Sequence, residues 1–227
     1  MSLLTDSDLE TILITEEKNS SDENLIISPY SNDSLTPVGY DLRVGETAAI
    51  STKSGRIKLA DGDSFTIPAN STALVTTLEN IGMPRNRSLS ALIESKVTKV
   101  SKGLSHISTT VDPDWKGNLL IAIHNHSSEK FELSYGEAFC TIVFIKNLSP
   151  SNKPCDKQPG RLDVFLDKFE EESAKAAKKR TFKEFLPPAV VLAFAGLGYF
   201  IFGNTIALAA SVAVGVAISQ YIQAKLQ

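Results

Sequence analysis

The run V-D-P-D-W-K-G-N-L-L-I-A-I-H-N, residues 111–125, decides the fold. Asp112 to Gly117 is a polar turn carrying two carboxylates and the chain's single tryptophan, Trp115. It runs through Gly117 into a continuous apolar segment that closes on His124 and Asn125, the pattern of a buried strand bounded by turn residues. A turn that feeds a core strand needs strand partners, and the flanking sequence offers them on both sides.

Upstream, two glycines bracket P-V-G-Y-D-L-R-V-G at residues 37–45. Alternation there places Tyr40, Leu42 and Val44 on one face and Asp41 and Arg43 on the other. Short β-rich runs follow at 57–59, 65–67 and 72–78, separated by Gly, Asp, Pro and Asn at hairpin-like intervals. Residues 80–84 read as a turn, 88–93 as a buried strand, and 106–111 as a further β-branched run. Residues 94–100 fit a strand or a short helix equally. Downstream, 131–133, a turn at 134–137 and 138–145 complete the core. This is the pattern of an all-β sandwich or barrel, not of βαβ units. At the start, Thr5, Asp6, Ser7 and Asp8 supply caps for one short helix with Leu9, Ile12 and Leu13 at helical spacing. A polar loop at 18–24 then leads to a short strand at 25–27, ended near Pro29.

Beyond residue 148 the composition changes. Pro, Ser, Asn and Lys mark a linker at 149–160. Residues 161–185 form a helix with Phe165, Leu166 and Phe169 on an apolar face, acidic residues first and basic ones last, as suits the helix dipole. From Phe185 to Ala224 there is no charged residue. Pro187 and Pro188 fit a helix start, Gly203-Asn204 fits a tight turn, and each apolar block approaches the roughly 17–25 residues that span a bilayer. Residues 186–223 therefore read as a two-helix transmembrane hairpin. Gly196, Gly198, Ala209, Ala213 and Gly215 allow close helix contact. Lys175, Lys178, Lys179, Arg180 and Lys183 before it and Lys225 after it place the N-terminal domain and the C-terminus in the cytoplasm. The net charge of -3 gives no basic face for nucleic acid. Cys140 and Cys155 do not make a disulfide framework or a metal site, and the first residues lack the pattern of a secretory signal.

The motifs G-Y-D-L-R-V-G (39–45), V-D-P-D-W-K-G (111–117), the strand ending in Asn125, and G-E-A-F (136–139), in that order, resemble the dCTP deaminase and dUTPase superfamily. The start, L-T-D-S-D-L-E at 4–10, is similar to the N-terminal helix of dCTP deaminases. The resemblance covers roughly residues 3–148 and sets the domain at 1–148. It implies a dUTPase-like distorted β-barrel or jelly roll, homotrimers, and nucleotide sites at subunit interfaces with Mg2+ on a bound triphosphate. It assigns Asp112 to the sugar hydroxyl and, in an active enzyme, to the attacking water. Trp115 falls beside the deoxyribose, and Ser95, Lys96 and Lys99 fall at the phosphates. Asp41 is a metal contact through water at most.

Departures from the family pattern are chemically pointed. Where the family carries an arginine ahead of its phosphate-binding serines, this chain has Glu94, an anion where a cation should meet phosphate. The glutamate that shuttles protons in dCTP deaminases falls, counting from Asp112 without gaps, at Ala122, and the late family glutamine falls at Thr141. These losses lead to the expectation of a membrane-anchored, catalytically degenerate nucleotide-binding protein, a nucleotide-sensing membrane effector. An active membrane-anchored dCTP deaminase or dUTP diphosphatase working through Asp112, and a trimeric structural scaffold, are the alternatives. Competing structural readings are a turn-capping role for Asp112, a strand role for Asp41, and core packing for Trp115. His124 and His126 flank Asn125 on one face without a third ligand for a metal.

Overall fold

The structure is a computed structural model that describes residues 2–15, 21–53, 55–155, 161–203 and 206–226. The expected loop residues 18–20, the linker's end at 156–160, Asn204 of the expected hairpin turn and the side chain of Lys225 lie outside the described residues. The chain forms two compact units, Met1–Ser173 and Ala174–Gln227.

The strands of the first unit are β1 (Ser2–Leu3), β2 (Leu13–Ile14), β3 (Leu25–Ser28), β4 (Leu35–Thr36), β5 (Gly39–Ile50), β6 (Arg56–Lys58), β7 (Ser64–Ile67), β8 (Ser71–Gly82), β9 (Leu89–Ser95), β10 (Leu104–His106), β11 (Thr110–Val111), β12 (Lys116–Asn125), β13 (Phe131–Ser134) and β14 (Ala138–Lys146). Its short helices are α1 (Asp6–Ile12) and α2 (Val97–Val100). α1 begins where the sequence caps it: Thr5 and Asp8 exchange side-chain and backbone bonds in a capping box. The backbone N–H and hydroxyl of Thr5 hold the Asp8 carboxyl below its ordinary range.

β5 organises the barrel. Tyr40, Leu42 and Val44 are fully buried while Asp41 and Arg43 lie half-buried on the opposite face. Its first half pairs with β14 and its second with β8 and β6. The register against β8 shifts between Val44 and Ala48, a bulge where one strand passes from one sheet to the next. The bracketing glycines are required by backbone approach: a Cβ on Gly45 would lie 2.4 Å from the Thr77 carbonyl oxygen, and one on Gly39 2.4 Å from that of Ile142.

Neighbouring strands run β10-β12-β8-β5-β14-β9-β11. The two ends of this path are consecutive in sequence, and the segment between them bonds both ways: Ile107 N–H donates to the Ala122 carbonyl (2.9 Å) and Ile93 N–H to that of Thr109 (3.1 Å). The sheet thus closes into a distorted barrel around Tyr40, Ile93, Ile121 and Phe144, the mainly β architecture the motifs imply.

Several expectations change. Residues 80–82 are not a turn: Asn80, Ile81 and Gly82 end β8, paired with β3 on one side and β12 on the other. Partners on both sides override the turn preference of Asn and Gly. The run 106–111 is not one strand but the tips of β10 and β11 around the barrel seam. Residues 94–100 are both things in succession, the end of β9 and then α2.

In the C-terminal part, α3 (Arg161–Phe202) and α4 (Ile206–Leu226) follow. α3 corrects the expected helix start, because Pro187 and Pro188 lie inside it. Each proline lacks an N–H, so the carbonyls of residues 183 and 184 lose their helical donors just where the charged stem meets the uncharged run. α3 ends at Gly203, whose left-handed φ of 58° and N–H bond to the Tyr199 carbonyl (2.9 Å) form a C-cap. The two helices pack antiparallel at small residues. A Cβ on Gly198 would lie 2.8 Å from Ser211 Cβ, and one on Gly215 2.8 Å from Phe194 Cβ, while Gly196 faces open space. Leu192, Phe200 and Ile206 are strongly exposed, and both helices are long and apolar enough to cross a membrane.

Candidate functional site

The turn between β11 and β12 is built by its own residues. Asp114 takes a left-handed φ of 62°, which aspartate tolerates better than most side chains. Trp115 N–H bonds to the Asp112 carbonyl (3.2 Å), and Met83 N–H bonds to the Trp115 carbonyl (2.7 Å). The indole Nε1–H closes on the Gly117 carbonyl at 3.1 Å while the ring packs on the core. The two carboxylates separate in role. Asp114 is buried, faces Arg87 at 3.4 Å and accepts the Cys155 N–H at 2.9 Å, so it fastens the linker to the turn. Asp112 is exposed, and the Cys155 thiol lies 3.6 Å from its Oδ2.

Asp112, Trp115 and Ala122 line one cavity of about 530 Å3, together with Ile93, Ile107 and Thr109 of the barrel seam. β12 lines the cavity with Leu119 to Ala122; along this strand Leu119, Ile121, Ile123 and Asn125 are buried, while Leu120 and Ala122 are half-buried. The opposite wall is the start of α3, with Leu162, Phe165, Lys168, Phe169 and Glu172. Arg56 of β6 holds that helix through Asp163 (2.7 Å), Glu170 (2.9 Å) and Asp167. Leu166 is buried and lines a second, polar cavity of about 410 Å3 with Thr47, Thr76, Thr77 and Asn118.

Ser95, Lys96 and Lys99 do not line the Asp112 cavity. They belong to another constellation at the end of β9. Lys96 pairs with Asp41, whose other oxygen accepts from Thr141 Oγ1 at 2.6 Å. Lys99 pairs with Glu137 and lies 5.7 Å from the Phe131 ring centroid. The imidazole of His106 donates from Nε2 to the Ile93 carbonyl (2.6 Å), which leaves Nδ1 to accept from Ser95 Oγ. Both lysines therefore already carry carboxylate partners, and Glu94 is exposed beside them. A dCTP deaminase-like family model matches residues 14–147.

The chain belongs to the dCTP deaminase-like family. It is 40% identical over 132 residues to a dCTP deaminase of Thermococcus kodakarensis, covering 58% of this chain and 83% of that protein. It is 31% identical over 152 residues to a probable deoxyuridine 5'-triphosphate nucleotidohydrolase of Sulfolobus islandicus rod-shaped virus 1, covering 67% of this chain and 89% of the viral protein. Among solved structures, the 2'-deoxycytidine 5'-triphosphate deaminase of Agrobacterium tumefaciens superposes with a TM-score of 0.52 at 14% identity, covering 64% of this chain and 48% of that one, a likeness of fold.

The dCTP deaminase-like match stops short of α3, so the helical wall of the cavity lies outside the region that the family model matches. Sequence reasoning found the Phe165 and Phe169 face but gave it no destination. It missed Asp114 as the linker anchor, His106 as the partner of Ser95, and Glu137 as the partner of Lys99. The buried pair of Arg43 and Glu79 also went unseen: Arg43 Nε lies 2.6 Å from Glu79 Oε1 and its backbone N–H 2.9 Å from Oε2. Burial pulls the Arg43 guanidinium down, but the hydrogen bond and charge of Glu79 more than offset this, and the net direction is up. Cys140, buried next to this network, is pushed well above the ordinary thiol range by desolvation and then by the charges of Glu79 and Asp41. The rings of His124 and His126 stand 4.3 Å apart on one side, as the spacing predicts, bonded to Thr72 and Ser105. Among the described residues no three His, Cys, Asp or Glu side chains gather as metal ligands.

Proposed function

We propose that this chain is a membrane-anchored nucleotide-binding protein of the dCTP deaminase-like family that recognises a nucleotide or nucleotide-like ligand without deaminating or hydrolysing it. The observation that carries this reading is Ala122. It lines the same cavity as Asp112, at the position where the family resemblance expects a proton-shuttling glutamate. A methyl group neither gives nor takes a proton, so general acid–base catalysis at a base loses its agent. Asp112 and Trp115 still face the space where a nucleoside would lie, and they are the binding residues of this reading. Ser95, Lys96 and Lys99 contribute to phosphate contacts only by exchanging their present partners, in a homotrimer such as the family resemblance implies. Mg2+ enters only with a triphosphate, held by phosphate oxygens, since Asp41 is engaged on both its oxygens by Lys96 and Thr141.

The uncharged run from Phe185 to Ala224 supports a bilayer anchor with the N-terminal domain and the C-terminus cytoplasmic, by the basic stem ahead of the hairpin. An effector role, in which ligand binding alters the membrane, follows from joining a recognising domain to such a hairpin. The test is binding and turnover measured together on the detergent-solubilised trimer, with leakage of vesicles containing it. The reading expects nucleotide binding that Asp112→Asn weakens, no uracil nucleotide from dCTP and no pyrophosphate from dUTP. Turnover abolished by Asp112→Asn establishes instead the second reading, an active deaminase or diphosphatase, which the 40% identity to a protein named dCTP deaminase favours. Stable trimers that bind nothing leave a scaffold.

A further inference from the structure

We infer that the cavity between the Asp112–Trp115 turn and α3 is a site for the nucleoside part of a ligand alone, a neutral aromatic heterocycle with its sugar, and that α3 residues set its specificity. This rests on the nucleotide-binding reading above and sharpens it. The volume of about 530 Å3 is ample for such a ligand. Three aromatic side chains stand in its walls, Trp115 from the barrel and Phe165 and Phe169 from α3. Phe165 and Phe169 are four residues apart and share a helix face, and flat apolar walls with few polar groups suit a base ring.

The charges decide against a triphosphate. The ionisable side chains of the lining are Asp112, Glu172 and Lys168, two carboxylates against one ammonium. A chain of phosphates would meet net repulsion here, whereas a neutral nucleoside can bond its sugar hydroxyl to Asp112 and its base edge to the threonine hydroxyls at 109 and 110. Lys168 and Glu172 are also four apart and exposed on the helix, so they form the mouth. The three-carboxylate grip of Arg56 fixes this helix as a wall.

Trp115, the chain's one tryptophan, reports on the cavity directly. Full-length protein in lipid nanodiscs is titrated with deoxycytidine, deoxyuridine and thymidine and with dCTP and dUTP, following its fluorescence. The expected result is tighter binding of nucleosides than of their triphosphates. Phe169→Ala weakens nucleosides on the order of tenfold or more, the usual loss of one stacking ring, and Phe169→Leu weakens them less. Glu172→Lys, which turns the lining net positive, raises the affinity for triphosphates relative to that for nucleosides; this exposed substitution serves if the phenylalanine variants do not fold, and an unchanged ratio then overturns the inference. Triphosphates binding more tightly than nucleosides, with α3 variants silent, overturn the inference and leave nucleotide binding standing. Nucleoside binding indifferent to a folded Phe169→Ala overturns it as well. Binding of neither class overturns both readings.

Discussion

At the scale of single residues, charge placement separates structure from recognition. Glu79 is completely buried and answered by Arg43, which also donates to the Pro29 carbonyl at 2.7 Å. Removing one member strands the other, so Arg43→Met is expected to cost about 3 kcal/mol, within the range for broken buried pairs, read as a lower urea midpoint of the barrel. The same neighbourhood predicts a pH effect. The Cys140 thiol is raised in the folded state, so its contribution to stability is complete at neutral pH and is lost as pH climbs above the ordinary thiol value of 9.0. The unfolding midpoint should fall as pH rises above 9.0 in wild type and fall less in Cys140→Ala. Thiol labelling at pH 8 should reach Cys140 only through global opening, for it is fully buried on β14.

At the scale of elements, the helical pair makes a sharp contrast between two glycines of one helix. Gly198→Leu drives a side chain into Ser211, whereas Gly196 has nothing within contact distance. Leucine at 198 should lower the midpoint of helix melting in micelles and leucine at 196 should leave it unchanged, as followed by circular dichroism. These elements also show what the sequence could disclose. Alternation in 39–45 revealed which side chains of β5 enter the core, because period two is a local property. The D-P-D-W turn was legible because turn residues also act locally, although Lys116 and Gly117, expected to belong to it, are paired in β12. The end of β8 was not, since Asn80 to Gly82 look like a turn until two flanking strands claim their backbone groups. The continuity of α3 through Pro187 and Pro188 was missed because local proline rules point to a start. Lys96 with Asp41, and Lys99 with Glu137, join residues 55 and 38 positions apart, and no spacing rule connects them.

For the whole molecule, the prediction concerns partition. With Leu192, Phe200 and Ile206 exposed and no charge from Phe185 to Ala224, the full chain should stay in the pellet after alkaline carbonate extraction of membranes. A version ending at Ser173, the boundary of the first unit, should appear in the supernatant. Recovery of the full chain in the wash would remove the bilayer from the account. β5 has a last consequence for how this molecule comes apart. One strand belongs to both sheets, pairing with β14 through Tyr40–Arg43 and with β8 through Val44–Ile50. Neither sheet can then be assembled, or lost, while the other stands. Denaturation of the barrel should be a single concerted event, with no half-barrel species, and nucleation of folding must wait for β5 to find partners that lie both before and after the midpoint of the domain.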